Sequence, residues 1–196
     1  MAEKGPKKTD SPRIERAVRE ILAAIGEDPA REGLVETPER VAEAYARLFS
    51  GLHEDPARQL EVSFAEEAGD PVLMRDIPLV SLCEHHLLPF VGKAHVGYLP
   101  NERVVGFSEL VRLVEGYARR PQLQERLTAQ VADALYEGLG SRGSIVVVEA
   151  EHTCMIATGA QRPGTVAVTS AARGAYEEDE RLRAEAMALI PRGSPR

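Results

Sequence analysis

The sequence is poor in cysteine and has no long apolar run, and each of these features makes one kind of protein a poor match. The only cysteines are Cys83 and Cys154, and we do not expect a disulfide between them in a reducing cytoplasm. No apolar run approaches the roughly 20 residues that a membrane-spanning helix requires. The basic N-terminal residues precede no apolar segment, so we predict no secretory signal and a cytoplasmic location.

Basic residues are also in the minority. Lys and Arg number 24 against 31 Asp and Glu, which gives a formal charge of −7. An acidic chain is a poor partner for nucleic acid or anionic membrane, because both are polyanions. With 196 residues and 43% hydrophobic content, the chain is long enough for one compact domain with a core.

Apolar periodicity and turn residues predict the elements. We predict helices at 11–25, 37–48, 108–114, 121–139 and 177–189, and strands at 72–80, 90–99, 145–154 and 165–170. Ser11 and Ser108 are predicted as N-caps. The order of helices and strands indicates an α+β fold with largely antiparallel pairing. We divide the chain into a flexible tail (1–10), an N-terminal helical region (11–70) and a catalytic region (71–196), within a single domain.

Both cysteines lie beside histidines. Residues three apart in a turn share one side, so Cys83 and His86 can bind one metal ion, with His85 nearby. Residues two apart on a strand share a face, so His152 and Cys154 are predicted to project together.

Two thiolates and one imidazole suit zinc, and three protein ligands leave a fourth position for water, as in catalytic sites. An imidazole in general titrates near neutrality, so the remaining histidines are candidates for proton transfer. The alternative is a pair of buried structural thiols, since a lone Cys-x-x-His pair is a weak signal. The isolated His53 and His95 are assigned to the surface or to strand packing.

Three stretches resemble a known family: SLCEHHLLPFVGKAHVGY (81–98), YARRPQLQERLT (117–128) and EHTCM (151–155). They are similar to GTP cyclohydrolase I, and the likeness runs from about residue 15 to residue 190. The resemblance implies a tunnelling fold (T-fold), assembled as a toroidal homodecamer with active sites between subunits. It also implies zinc-dependent hydrolysis of GTP at C8 to formate and 7,8-dihydroneopterin triphosphate, in pterin and tetrahydrofolate biosynthesis.

The resemblance assigns roles by position. Cys83, His86 and Cys154 match the zinc ligands, and His85 and His152 match the catalytic histidines. The matched substrate-binding residues are Glu125 and Gln124 at the guanine, and Ser108, Arg112 and Arg40 at the phosphates. A carboxylate suits the guanine edge, because it can accept hydrogen bonds from N1–H and the 2-amino group.

Three positions that are usually basic in the family are not basic in this sequence. They are occupied by Glu43, Glu109 and Thr158. A carboxylate about 4 Å from a phosphate would cost on the order of 1–4 kcal/mol. One explanation is compensation by another basic residue, and the candidates are Arg103, Arg162 and Arg173. The other is a paralogue that acts on a less phosphorylated or modified purine nucleotide.

Two further classes are weighed. A nitrile reductase on the same fold uses a cysteine nucleophile without catalytic zinc, but both cysteines here lie in metal-like clusters. A non-catalytic zinc protein of the same fold would have little use for His85, His152 and Glu125 together. An enzyme is the favoured interpretation.

Overall fold

The structure is a computed structural model that describes residues 9–66, 69–158 and 164–190. Its helices are α1 (Ser11–Ala24), α2 (Thr37–Leu48), α3 (Phe107–Ala118), α4 (Gln124–Asp133), α5 (Thr153–Ala157), α6 (Ala175–Glu178) and α7 (Glu180–Leu189). Its strands are β1 (Ser63–Ala65), β2 (Val72–Cys83), β3 (Pro89–Leu99), β4 (Arg103–Val105), β5 (Pro121–Gln122), β6 (Gly143–His152) and β7 (Ala167–Gly174). Short 3-10 helices cover Ser50–His53 and Pro56–Glu61, and the π-helical turn Ala134–Gly138 follows α4. Most of the predicted tail, residues 1–8, lies outside the described residues.

The main sheet has the strand order β5-β2-β3-β6-β7 within the described residues. The β2–β3, β3–β6 and β6–β7 pairs are antiparallel, whereas the two-residue β5 runs parallel to β2. Strands β1 and β4 form a separate antiparallel pair. The prediction of an α+β fold with largely antiparallel pairing is therefore confirmed.

Helices α3 and α4 cover one face of the main sheet and enclose the larger core. On α3, Leu110, Leu113 and Val114 recur at helical spacing and are fully buried. They join a cluster that includes Phe90 of β3 and Val146 of β6. Ile145, the residue before Val146 on β6, faces the other way, where a smaller cluster lies under α6 and α7. That cluster contains Leu99, Ile145, Tyr176 and Ala186.

The predicted strand 145–154 is wrong at its C-terminal end. Strand β6 stops at His152, and Cys154 lies in the short helix α5. The Thr153 hydroxyl donates to the carbonyl of Pro89 at 2.6 Å, which ties the start of α5 to the start of β3. His152 and Cys154 therefore do not share a strand face.

Two helix starts were also misplaced by the pattern. The segment predicted to open a helix at Pro121 is extended, because Pro121 and Gln122 pair with the end of β2, and α4 begins at Gln124. The helix predicted at 177–189 is divided at Asp179, whose carboxylate accepts hydrogen bonds from the first backbone N–H groups of α7.

Neither predicted serine cap occupies the N-cap position. Helix α1 is capped by Asp10, whose side chain accepts a hydrogen bond from Arg13 N, so Ser11 is already helical. Helix α3 has Gly106 at its N-cap, and Ser108 lies inside the first turn. No helix among the described residues is both long enough and apolar enough to cross a membrane.

A testable consequence concerns Gly92, where β3 passes close to β6. A Cβ there would lie 1.8 Å from Glu149 O and 2.6 Å from Ala150 Cα. We predict that Gly92→Ala lowers the free energy of unfolding by about 1–3 kcal/mol, because two central strands must separate. The control Gly69→Ala meets no described atom within 4 Å, and its effect should stay within about 0.5 kcal/mol. Urea unfolding curves measure both, and equal stabilities would contradict the close approach.

Candidate metal centre and active site

The first cluster lies in a tight turn at the end of β2. Cys83 N donates to Leu88 O at 2.9 Å, and Leu87 N donates to Cys83 O at 2.8 Å. Leu87 has a left-handed φ of 53° at the point where the chain reverses into β3. The turn brings His86 Nδ1 to 3.9 Å from Cys83 Sγ. This turn supplies one side of the site.

Strand register supplies the other side. Ser81 of β2 pairs with Phe90 of β3, and Phe90 pairs with His152 of β6, so the three residues lie in one row across the sheet. Cys83 follows this row on β2, and Cys154 follows it in α5. Two cysteines that are distant in sequence therefore meet at the same end of the sheet.

Cys83, His86 and Cys154 form a group that could hold a metal ion, since their ligand atoms all lie within 4.8 Å of one another. Tetrahedral bonds of about 2.1 Å to nitrogen and 2.3 Å to sulfur would place two ligand atoms roughly 3.6 Å apart. The distance of 3.9 Å between Cys83 Sγ and His86 Nδ1 is close to that value. The donor set and spacing therefore fit a four-coordinate ion.

This group has a buried side and an exposed side. Both cysteines are only 6% exposed, whereas His86 is exposed. Burial, together with the hydrogen bond to Cys83, raises the pKa of the Cys154 thiol. A bound cation would favour both thiolates and oppose that rise. The exposed imidazole side is where a ligand would enter.

The two histidines predicted for proton transfer lie in different environments. His85 is exposed, and its Nδ1 lies 3.9 Å from Cys83 Sγ. His152 is half-buried at the end of β6, and its ring stacks on Phe90 with centroids 4.6 Å apart and planes inclined by 12°. Burial lowers the pKa of His152, while the nearby charge of Glu125 raises it.

The two residues matched to guanine binding differ sharply in accessibility. Gln124 is 2% exposed, and its Oε1 lies 2.8 Å from His152 Nε2. Glu125, the next residue of α4, is exposed and close enough to His152 to affect its pKa. Glu125 is therefore open to a ligand in this chain, whereas Gln124 is enclosed by its own protein.

Arg126 was missed in the sequence. Its guanidinium makes two hydrogen bonds to the Glu84 carboxylate, at 2.5 and 3.2 Å. The pair joins α4 to the turn that carries both exposed histidines, and the Arg126 hydrogen bond lowers the pKa of Glu84. Local sequence gave no signal, because the two residues are 42 positions apart. Phe90, which supports the His152 ring, was likewise read only as a strand residue.

Arg112, which is matched to phosphate binding, lies in a cleft that no residue of the metal group lines. Arg112 and Glu115 of α3 line this cleft together with Arg119, which follows the helix. Arg112 pairs with Glu109 at 2.8 Å. Ser108 is exposed in the first turn of α3.

The other basic candidates are also engaged within the described chain. Arg40 pairs with Glu36. Arg103 donates to the Ser63 hydroxyl at 2.7 Å, and Arg173 pairs with Asp133 at 2.6 Å; Arg162 lies outside the described residues. Partly exposed pairs of this kind contribute only about 0–1 kcal/mol, so they can be exchanged for an anionic ligand.

Two buried cysteines and one exposed histidine that could hold a metal ion, at the end of a largely antiparallel sheet, define a candidate metalloenzyme. The family model described as GTP cyclohydrolase I matches residues 14–191, and the chain belongs to that family. "GTP cyclohydrolase 1" of Thermobifida fusca is 60% identical over 187 residues, covering 94% of this chain and 90% of that protein. "GTP cyclohydrolase 1" of Carboxydothermus hydrogenoformans is 58% identical, covering 95% of this chain and 97% of that protein.

One solved structure shows a partial likeness. The archaeosine synthase QueF-Like in the apo form covers 55% of this chain and 97% of its own, with a TM-score of 0.46 and 18% identity. The family assignment comes from the sequence relatives.

The metal group predicts a selective loss of metal. We expect His86→Asn to lower bound metal from about one ion per chain to well below half, because it removes one of three protein ligands. His53→Asn is the matched control, since His53 is exposed in the 3-10 helix Ser50–His53. Elemental analysis of purified protein measures both. Equal metal content in the two variants would exclude His86 as a ligand.

Proposed function

We propose that this chain is a zinc-dependent cyclohydrolase that opens the guanine imidazole ring of GTP at C8, releases formate and forms 7,8-dihydroneopterin triphosphate. The observation that carries the proposal is the Cys83/His86/Cys154 group with His85 and His152 beside it. The family and its relatives, named GTP cyclohydrolase 1, support the substrate and reaction.

We propose Zn²⁺ for the metal because two thiolates and an imidazole are the donors that zinc prefers. When bound, the ion would supply an acidified water near neutral pH. His152 donates a proton to the purine N7, which makes C8 more electrophilic, and His85 exchanges protons with later intermediates. Glu125 accepts hydrogen bonds from the guanine N1–H and 2-amino groups, which holds the base in place.

GTP remains the proposed substrate, with a less phosphorylated purine nucleotide as the second candidate. One observation favours the second candidate: the Glu109 carboxylate pairs with Arg112 at 2.8 Å, where a phosphate is expected to bind. Substrate would have to displace that carboxylate or tolerate it. Relatives that are 55–60% identical over nearly the whole chain weigh towards GTP.

We further propose a homo-oligomer, a decamer by family resemblance, with the active site completed by a neighbouring subunit. Apolar side chains that are 41–44% exposed surround the metal group, namely Leu87, Met155 and Ile156. On α1, which has no buried residue, Ile21 is 60% exposed. Open apolar surfaces of this kind mark protein contacts. Two free thiols used as metal ligands suit the cytoplasm, which is reducing. We propose that the protein acts there as a single catalytic domain in the synthesis of pterin and tetrahydrofolate precursors.

The substrate assignment is tested with zinc-loaded protein and four substrates: GTP, GDP, GMP and guanosine. We expect formate and pterin fluorescence with GTP as the best substrate, loss of both after chelation, and recovery with Zn²⁺. Equal turnover of GMP would favour the second candidate. Absence of formate from every substrate, in protein that holds one zinc per chain, would exclude the proposed reaction.

Glu125→Gln tests guanine binding. A neutral amide presents one carbonyl oxygen and a competing donor, so we expect kcat/KM for GTP to fall by about 10- to 100-fold, mainly through a raised KM. Glu20→Gln, an exposed glutamate of α1, should leave kcat/KM within about threefold. Steady-state pterin formation measures both. An unchanged KM in Glu125→Gln would remove Glu125 from the guanine site.

A further inference from the structure

We propose that Gln124 is a positioning residue for His152, which fixes the orientation and tautomer of the imidazole, and is not a guanine-binding residue. The inference rests on the proposed function, because it takes His152 as the group that transfers a proton. It changes the role assigned to Gln124 by family position. Four observations support this proposal.

The first is the orientation of the Gln124 amide. Its Nε2 donates to the backbone carbonyls of Val148 and Ala167, both at 3.0 Å. Carbonyl oxygens only accept, so the reversed amide would place an oxygen against two oxygens. The amide group is therefore held with Nε2 on the β6–β7 side and Oε1 towards His152.

The second is a hydroxyl relay that fixes the same orientation. The Thr128 hydroxyl donates to Gln124 O at 2.7 Å, so its only proton is used. The Thr169 hydroxyl, 2.7 Å from that of Thr128, must then be the donor between the two. Thr169 Oγ1 is left as an acceptor, 3.2 Å from Gln124 Nε2, whose two hydrogens are shared among this oxygen and the two carbonyls. Every donor in this network has one consistent direction.

The third is the consequence for His152. Gln124 Oε1 can only accept, so His152 Nε2, at 2.8 Å, must carry a hydrogen. In the neutral ring, Nδ1 therefore carries no hydrogen and holds the lone pair. Phe90 stacks on the ring face at 4.6 Å, so one contact fixes the plane and the other fixes rotation within it.

The fourth is burial. Gln124 is 2% exposed, and both ends of its amide already have protein partners. A guanine could reach it only by breaking those hydrogen bonds within a buried network, which is unfavourable. The neighbouring Glu125 is exposed and needs no such rearrangement. The structure thus separates a ligand-facing carboxylate from a histidine-facing amide in consecutive residues.

The kinetic test is Gln124→Met in the zinc-loaded, full-length protein. Methionine keeps the length of the side chain but cannot accept from His152 or donate to the carbonyls. We expect kcat for GTP to fall by about 10- to 100-fold with KM changed by less than about threefold. A large rise in KM with kcat unchanged would show that Gln124 binds substrate and would overturn the proposal.

Gln122→Met is the matched control. Gln122 is also a buried glutamine, 1% exposed, and its Nε2 donates to Tyr117 O and Gln130 Oε1, both at 2.8 Å. Neither of these hydrogen bonds involves His152, so we expect kcat to stay within about threefold of wild type. If both variants lose kcat equally, general loosening of the core explains the effect, and a positioning role for Gln124 is excluded.

The tautomer is tested without turnover. In protein labelled with ¹⁵N at the histidine rings, the His152 signals are identified by their absence in His152→Asn. We expect wild-type neutral His152 to show a protonated Nε2 and an unprotonated Nδ1, and Gln124→Met to show a mixture of tautomers. A protonated Nδ1 in wild type, or an unchanged spectrum in Gln124→Met, would overturn the proposal. Because this readout needs no substrate, an inactive wild type would count against the proposed function alone.

Discussion

The whole site depends on backbone pairing across three strands. Hydrogen bonds between β2, β3 and β6 hold Ser81, Phe90 and His152 in one row, and this row sets where the two cysteines emerge. A slip of one residue in either pair would turn the site side chains to the other face of the sheet. The core beneath α3 and α4 makes such a slip costly, because it would expose fully buried residues such as Phe90. Hydrophobic packing therefore keeps the candidate metal ligands in register.

The same arrangement gives the site two halves with different physical properties. The inner half is dry and rigid: it contains Cys83, Cys154 and the Gln124 hydrogen-bond network. The outer half is exposed and contains His86 and Glu125. A rigid inner half can hold ligand atoms and a ring nitrogen in fixed positions, as preorganised catalysis requires. The exposed half is the part that could contact the proposed substrate.

At the proposed phosphate end, the charged side chains form ion pairs with one another. Several arginines at or near the surface pair with carboxylates, as in Arg112–Glu109 and Arg173–Asp133. Each pair is partly solvated and contributes little to the stability of the fold. The arginine side chains could therefore exchange these carboxylates for another anion. If the proposed phosphate-binding residues are correct, substrate phosphates must compete with these carboxylates for the arginines. Such competition would affect which substrate binds best and would have little effect on the stability of the fold.

Local patterns in the sequence were enough for the α+β class, for most helices and strands, and for the two Cys/His clusters. These features depend on apolar periodicity and residue chemistry, which neighbouring residues express directly. The pattern was wrong where long-range pairing overrides it: Pro121 joins the sheet beside β2, and Cys154 turns into a helix after β6. No local signal announced the Glu84–Arg126 pair or the Gln124–His152 contact.

The sequence by itself determined which donor atoms the protein has and which family it resembles. Only the tertiary structure decided that Cys83 and Cys154 meet, that Gln124 is enclosed, and that Glu125 is open. The physical reason is that adjacent residues of a helix point in different directions, so their burial depends on what packs against them. Chemical identity is a property of each residue, whereas accessibility and proximity are properties of the folded chain.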